Sequence, residues 1–120
     1  MLDTTDFATA RTTPHRGVPV VVVTGEIDST TVEPVRTHLV DQLDRRPSGL
    51  VVDLSGVGFI GSTGLQLLAE AITRAARLAM PLAVVAAHHA VLRPMQITEL
   101  DRVVTVRPTV DEAVTAVLSR

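Results

Sequence analysis

The stretch Asp53-Leu54-Ser55-Gly56-Val57-Gly58-Phe59-Ile60-Gly61-Ser62-Thr63-Gly64-Leu65 joins a short apolar run to an amphipathic one. On its upstream side, Leu50-Val51-Val52-Asp53-Leu54 is an apolar run of the kind that packs inside a sheet. Downstream, Leu65, Leu68, Ala69, Ile72, Ala76 and Ala79 share one face of a helix over 62–79, and Gln66, Glu70, Thr73, Arg74 and Arg77 fill the other. A buried strand thus hands over to a helix, with the hydroxyl pair Ser62 and Thr63 at the joint. The ordinary role for Ser62 is an N-cap that accepts a hydrogen bond from a backbone N–H two or three residues on. The functional alternative is a site for a phosphate or an acidic partner, because unpaired N–H groups and the positive end of the helix dipole meet there.

Outward from this joint the chain alternates strands and helices. The pattern predicts strands over about 6–12 and 18–24 joined by a turn at His15-Arg16-Gly17, then a helix over about 30–45. That helix would turn Val32, Val35, Leu39, Val40 and Leu43 inward, take Asp28 or Ser29 as its cap, and tolerate Pro34 because it falls near the first turn. Pro47-Ser48-Gly49 would end it. After helix 62–79 come a strand over 81–87, a short helix within 89–98 that Pro94 limits or kinks, and a strand over 103–107. A last helix would start at Thr109, which has capping-box spacing to Glu112, and bury Val110, Ala113, Val114, Val117 and Leu118. Strands separated by helices need crossover connections, so the expected fold is a small α/β domain: a mixed, mostly parallel sheet with an N-terminal antiparallel hairpin and about four helices. One domain is expected to span 1–120, with about 1–5 a loose N-terminus.

The segment 53–65 resembles the signature of the STAS family, in particular the bacterial anti-sigma factor antagonists, whose phospho-acceptor loop reads roughly D-[LS]-x-x-[VL]-x-[FY]-[IML]-D-S-[ST]-G-L. Two flanking segments are similar to family elements as well: Val21-Val22-Val23-Thr24-Gly25-Glu26-Ile27-Asp28 to its strand and G-E-[LI]-D turn, and Ile97-Thr98-Glu99-Leu100-Asp101-Arg102-Val103 to its I-T-G-L-D-x-V. Gly61 stands where phosphorylated members usually carry Asp, and Glu99 where a Gly is common. The resemblance implies an anti-sigma factor antagonist in a partner-switching pathway that controls sigma-dependent transcription, including stress responses. Its partners would be an anti-sigma factor acting as a serine kinase and a serine phosphatase that resets the switch. On that reading Ser62 is the phosphorylation site, with Thr63 the second candidate. Asp28, Ser29, Thr30, Gly61, Gly64, Leu65 and Gln66 join Ser62 and Thr63 in the partner-binding face. Gly61 in place of Asp keeps open an alternative, a STAS scaffold or ligand-sensing module not regulated by phosphorylation.

A rival motif lies in the same place, since Gly56-Val57-Gly58-Phe59-Ile60-Gly61 is literally G-x-G-x-x-G after a strand. A dinucleotide site would also need an acid about 20 residues on, at the end of the next strand. Here Pro81-Leu82-Ala83-Val84-Val85-Ala86-Ala87 runs into His88 and His89 instead, and Phe59 and Ile60 read as anchors of the loop in the core. Ser62 has no partner for acyl chemistry nearby in the sequence; the same two histidines follow a strand that could end at the same side of the sheet, and nothing in the sequence orients a triad. The acids are dispersed without metal-ligand spacing, so no catalytic residues, metal or cofactor are expected.

Composition narrows the class. With 46% hydrophobic and 20% charged residues over 120 positions, the chain can bury a core without disulfide or metal staples, and it has no cysteine for thiol chemistry. A net charge of −2 and only two aromatics, Phe7 and Phe59, argue against nucleic acid, which wants a basic stripe and stacking side chains. Arg45-Arg46 reads as a helix C-terminal device rather than a phosphate patch. The start Met1-Leu2-Asp3-Thr4-Thr5-Asp6 lacks an apolar signal region, and Val18-Pro19-Val20-Val21-Val22-Val23 is too short to cross a membrane, so the expected location is the cytoplasm.

Overall fold

Two β-branched runs form the centre of the sheet. β2 (Val18–Ile27) and β3 (Leu50–Ile60) pair in parallel, and most of their side chains are buried because helices cover both faces. β1 (Ala8–His15) adds antiparallel to β2 through a turn in which Arg16 and Gly17 both have positive φ, 53° and 80°, as a tight hairpin of this hand requires. β4 (Leu82–Val85) and β5 (Thr105–Arg107) continue the sheet in parallel, giving the order β1-β2-β3-β4-β5. The computed structural model describes residues 7–119, so the expectations for the loose segment 1–5 and for a strand starting at residue 6 lie outside the described residues.

Side-chain alternation along the strands divides the interior into two cores. Val21, Val23, Leu50, Val52 and Val84 face α1 (Val32–Asp44), α2 (Ser62–Arg77) and α3 (His89–Ile97), which contribute among others Leu39, Leu43, Leu67, Leu68 and Met95. The alternate residues Val20, Val51, Ala83 and Val85 face α4 (Val110–Leu118) alone, through Ala113, Val114 and Val117. A fully buried Leu such as Leu39 or Leu43 contributes about 2–3 kcal/mol relative to exposure, so these contacts hold the helices more firmly than surface ion pairs do. Arg36 donates to Glu70 at 2.6 Å and Arg74 to Asp44, tying α1 to α2 at the surface. Thr109 caps α4 by accepting from the Glu112 N–H at 3.2 Å, as its spacing predicts.

Several local expectations are corrected. The glycine-bearing segment Ser55–Ile60 is not a loop but the second half of β3. It pairs with β2 from Thr24 to Ile27 with register shifts between Val22 and Thr24 and between Gly25 and Glu26. Glycine permits this: Gly25 has φ 100°, and a Cβ there would collide with the Phe7 carbonyl. The bulged register also turns Phe59 outward, so it is 49% exposed rather than a core anchor, while Ile60 is buried. Val40 and Leu118, expected inward, are exposed. α3 runs past Pro94 to Ile97 before the 3-10 turn Leu100–Arg102, and Glu99 between them takes the left-handed conformation, φ 62°, that favours glycine.

The face of α2 is also turned from the expected one. Gly64, Leu67, Leu68, Ala71 and Ala75 are buried, whereas Leu65, Ala69 and Ile72 are half-buried and Ala76 and Ala79 exposed. Gly64 sets this rotation. A Cβ on it would lie 2.7 Å from Ile60 Cγ1 and 2.8 Å from Ile27 Cγ2, so only glycine lets the first turn seat this closely on the strand ends.

Candidate functional site

β2 and β3 end side by side, Ile27 opposite Ile60, and the pairing is prolonged by the Gly61 N–H donating to the Ile27 carbonyl at 2.8 Å. The segments Asp28-Ser29-Thr30 and Gly61-Ser62-Thr63-Gly64 therefore leave neighbouring strands at the same edge of the sheet. At the start of α1 the backbone donors are taken up locally. Asp28 Oδ1 accepts from the Thr30 N–H (2.9 Å), the Thr30 hydroxyl (2.8 Å) and the Thr31 N–H (3.1 Å). Thr31, itself buried, donates its hydroxyl to the Glu26 carbonyl at 2.6 Å and accepts from the Asp28 N–H at 2.9 Å. The hydrogen bonds from the Thr30 hydroxyl and amide, with smaller help from Thr31 and against some desolvation, hold the Asp28 carboxyl below the usual carboxylate range. Neither residue proposed from sequence occupies the capping position: Thr31 is the N-cap of α1 and makes no side-chain cap bond, while Asp28 ties up the amides of the turn that leads into the helix.

α2 begins differently. Gly61 occupies the capping position in an extended conformation (φ −90°, ψ −175°), and no side chain caps this terminus. Its carbonyl accepts the first helical bond, from the Leu65 N–H at 3.0 Å. Ser62 is the first helical residue and is exposed, so the capping role open to it is not the one it takes; Thr63 beside it is half-buried. The amides of Ser62, Thr63 and Gly64 have no intrahelical acceptor by the geometry of a helix start, and the helix dipole adds partial positive charge at the same spot. Leu65 is half-buried and Gln66 exposed on the turn that follows.

Phe59 is the residue of this surface that sequence reasoning placed elsewhere. Its ring lies over Gly61: a Cβ added there would stand 3.3 Å from Phe59 Cε2. A side chain at 61 would press on the exposed ring and move it. The available signal was an aromatic bracketed by Gly58 and Gly61 in a chain with only one other aromatic residue. His88 and His89, by contrast, sit at the start of α3 and border a shallow groove of about 460 Å³ with Ser55 to Gly58; Ser62 is not part of its lining. Asp53 is buried with its carboxylate accepting the Ser55 N–H at 2.9 Å, a structural role within β3.

No helix among the described residues is long and apolar enough to cross a membrane. The family description of the STAS domain matches residues 9–113. The anti-sigma-F factor antagonist RsfB of Mycobacterium tuberculosis (strain CDC 1551) is 32% identical over 112 residues, which cover 93% of this chain and 91% of RsfB. The crystal structure of an anti-sigma factor antagonist from Mycobacterium paratuberculosis matches with a TM-score of 0.90 and 38% identity, over 98% of this chain and 99% of that one. A STAS domain protein from Planctomyces limnophilus shares the fold at a TM-score of 0.77 and 23% identity, over 92% of this chain and 98% of that one. With the signature segment, the sheet order and these likenesses in agreement, the chain belongs to the STAS domain family.

Proposed function

We propose that this protein is a cytoplasmic anti-sigma factor antagonist without catalytic activity of its own. It binds an anti-sigma factor through the face around Asp28, Ser29, Thr30 and Gly61 to Gln66, and is switched off by phosphorylation of Ser62. The observation that carries the reading is the exposed hydroxyl of Ser62 on an uncapped helix terminus. In the free protein a phosphate there accepts from the amides at the helix start and meets a favourable dipole, so the fold tolerates it. In a complex that covers the same spot, about two negative charges are buried without enough donors. A cost of about 4 kcal/mol would weaken binding a thousandfold. Transfer of the γ-phosphoryl group of ATP forms the Oγ–P bond as the bond from that phosphorus to the departing ADP breaks, and the hydroxyl proton passes to a base of the kinase; a serine phosphatase reverses the state by hydrolysis, releasing inorganic phosphate.

Calorimetry against the cognate anti-sigma factor tests this directly. Ser62→Ala is expected to bind like the wild type, and Ser62→Glu about a hundredfold more weakly or worse. Equal affinity of all three proteins would remove the switch. Gly61 favours the second reading in that event, a STAS scaffold or ligand-sensing module not regulated by phosphorylation, because no carboxylate stands beside the acceptor to orient it.

A further inference from the structure

The outward flank of α2 carries apolar residues that the described residues leave partly or wholly open. Ala69, Ile72 and Ala76 recur at spacings of three and four, the pattern of a helix that packs against another helix, and Ala79, just past the helix end with φ 53°, continues the same edge; Ala76 and Ala79 are exposed and Ala69 and Ile72 half-buried. Val103, 64% exposed, faces them from beyond the turn Leu100–Arg102. Two adjoining hollows of about 610 and about 520 Å³ share Ile72, Ala76 and Val103 and so form one groove between α2 and the approach to β5. The charged residues in its lining are Arg77 and Arg102. Arg77 enters no ion pair among the described residues, and Arg102 meets Glu99 only at 4.0 Å.

We propose that this groove docks an acidic amphipathic helix of a partner protein, at a surface separate from Ser62. Ala69 and Ala76 on the helix let a second helix axis approach to about 8 Å, and the three-and-four spacing with Ile72 supplies the seam for its apolar side chains. Arg77, which enters no ion pair among the described residues, and Arg102, held only loosely by Glu99 at 4.0 Å, attract acids flanking that seam and select against basic partners. A second copy of this chain is a poor occupant, because pairing the groove with itself would gather four arginines in one interface whose lining offers no carboxylate. Arg77 ends the helix that Ser62 begins, about 23 Å away along its axis, so the two surfaces can be occupied together.

The test titrates the isotopically labelled full chain with a synthetic helical peptide of about four turns. It carries Leu and Ala along one seam and Glu on both flanks, and is compared with a twin carrying Lys in place of Glu. The expected result is that the Glu peptide shifts the amide resonances of residues 69–79 and 100–105 and leaves Ser62 and Thr63 unmoved. Binding should weaken with salt, and the Lys peptide should bind about tenfold less tightly. The double variant Arg77→Glu, Arg102→Glu, both exposed positions, should melt like the wild type and reverse the preference. Equal affinity for the two peptides, no binding of either, or shifts outside the groove would overturn the proposal. So would a concentration-dependent doubling of mass in light scattering that Ile72→Asp abolishes, which would assign the groove to a second copy.

Discussion

α1 and α2 start from neighbouring parallel strands at one edge of the sheet, and their first turns are finished in opposite ways. Just ahead of α1 a carboxylate and a buried hydroxyl close the turn into the helix, with Asp28 and Thr31 accepting and donating within the same few residues. At α2 a glycine stands in the capping position, and the first hydroxyl points to solvent. The difference teaches where recognition can occur. A terminus whose donors are already taken is scaffold, and one whose donors are free has binding capacity left over for a phosphate or a partner.

The sharpest way to break this comparison is at Gly64, the contact that seats the open terminus. Gly64→Val should cost about 3 kcal/mol in urea denaturation, because its side chain meets Ile60 and Ile27 at less than contact distance. A loss under about 1 kcal/mol would mean that α2 can be repositioned freely, and that its exposed start is not held by packing.

Next in size is the contrast between the two termini themselves. Thr31→Val strands the Asp28 N–H and leaves the Glu26 carbonyl without its donor, for a loss of about 2 kcal/mol, whereas Ser62→Ala should change stability by less than about 0.5 kcal/mol. Equal losses in paired denaturation curves would show that Ser62 caps its helix after all.

A smaller effect has the opposite sign. Ser62→Asp should stabilise the free protein by about 0.5 kcal/mol through the uncompensated dipole, even as it weakens the partner complex. A destabilised variant would mean that the terminus is not open to negative charge.

The smallest effect is a pH dependence at α1. The Asp28 carboxyl is held low by its threonine hydrogen bonds, so its contribution is present above about pH 4, the unfolded value, and is lost as pH falls through the folded one. Asp28→Asn does not titrate, so the stability gap between it and the wild type should be open at neutral pH and narrow below about pH 3. A gap that stays constant across that range would leave the carboxylate's charge without a role in that turn.

Much of this was legible from one-dimensional pattern because the physics involved is local. The apolar run at Val51 and Val52, the periodicity of Val35, Leu39 and Leu43, and the Thr109–Glu112 cap depend on residues a few positions apart, and alternation of strands with helices leaves few topologies. The strand-to-helix joint at Ser62 and its proximity to Asp28 follow from the same reasoning, since neighbouring parallel strands end at the same edge. Three features required the third dimension. Whether Ser55–Ile60 is loop or strand depended on β2 offering a bulged partner to the glycines. The exposure of Phe59 followed from the register those bulges impose, and a shift of one residue exchanges the faces of a strand. The rotation of α2, which leaves Ile72 and Ala76 uncovered beside two arginines, was decided by the missing Cβ of Gly64 against Ile60 and Ile27. The sequence by itself determined which segments are strand and helix and where the hydroxyl pair stands. Which side of each segment faces the solvent was decided by close contacts between residues far apart in the chain, which no local periodicity encodes.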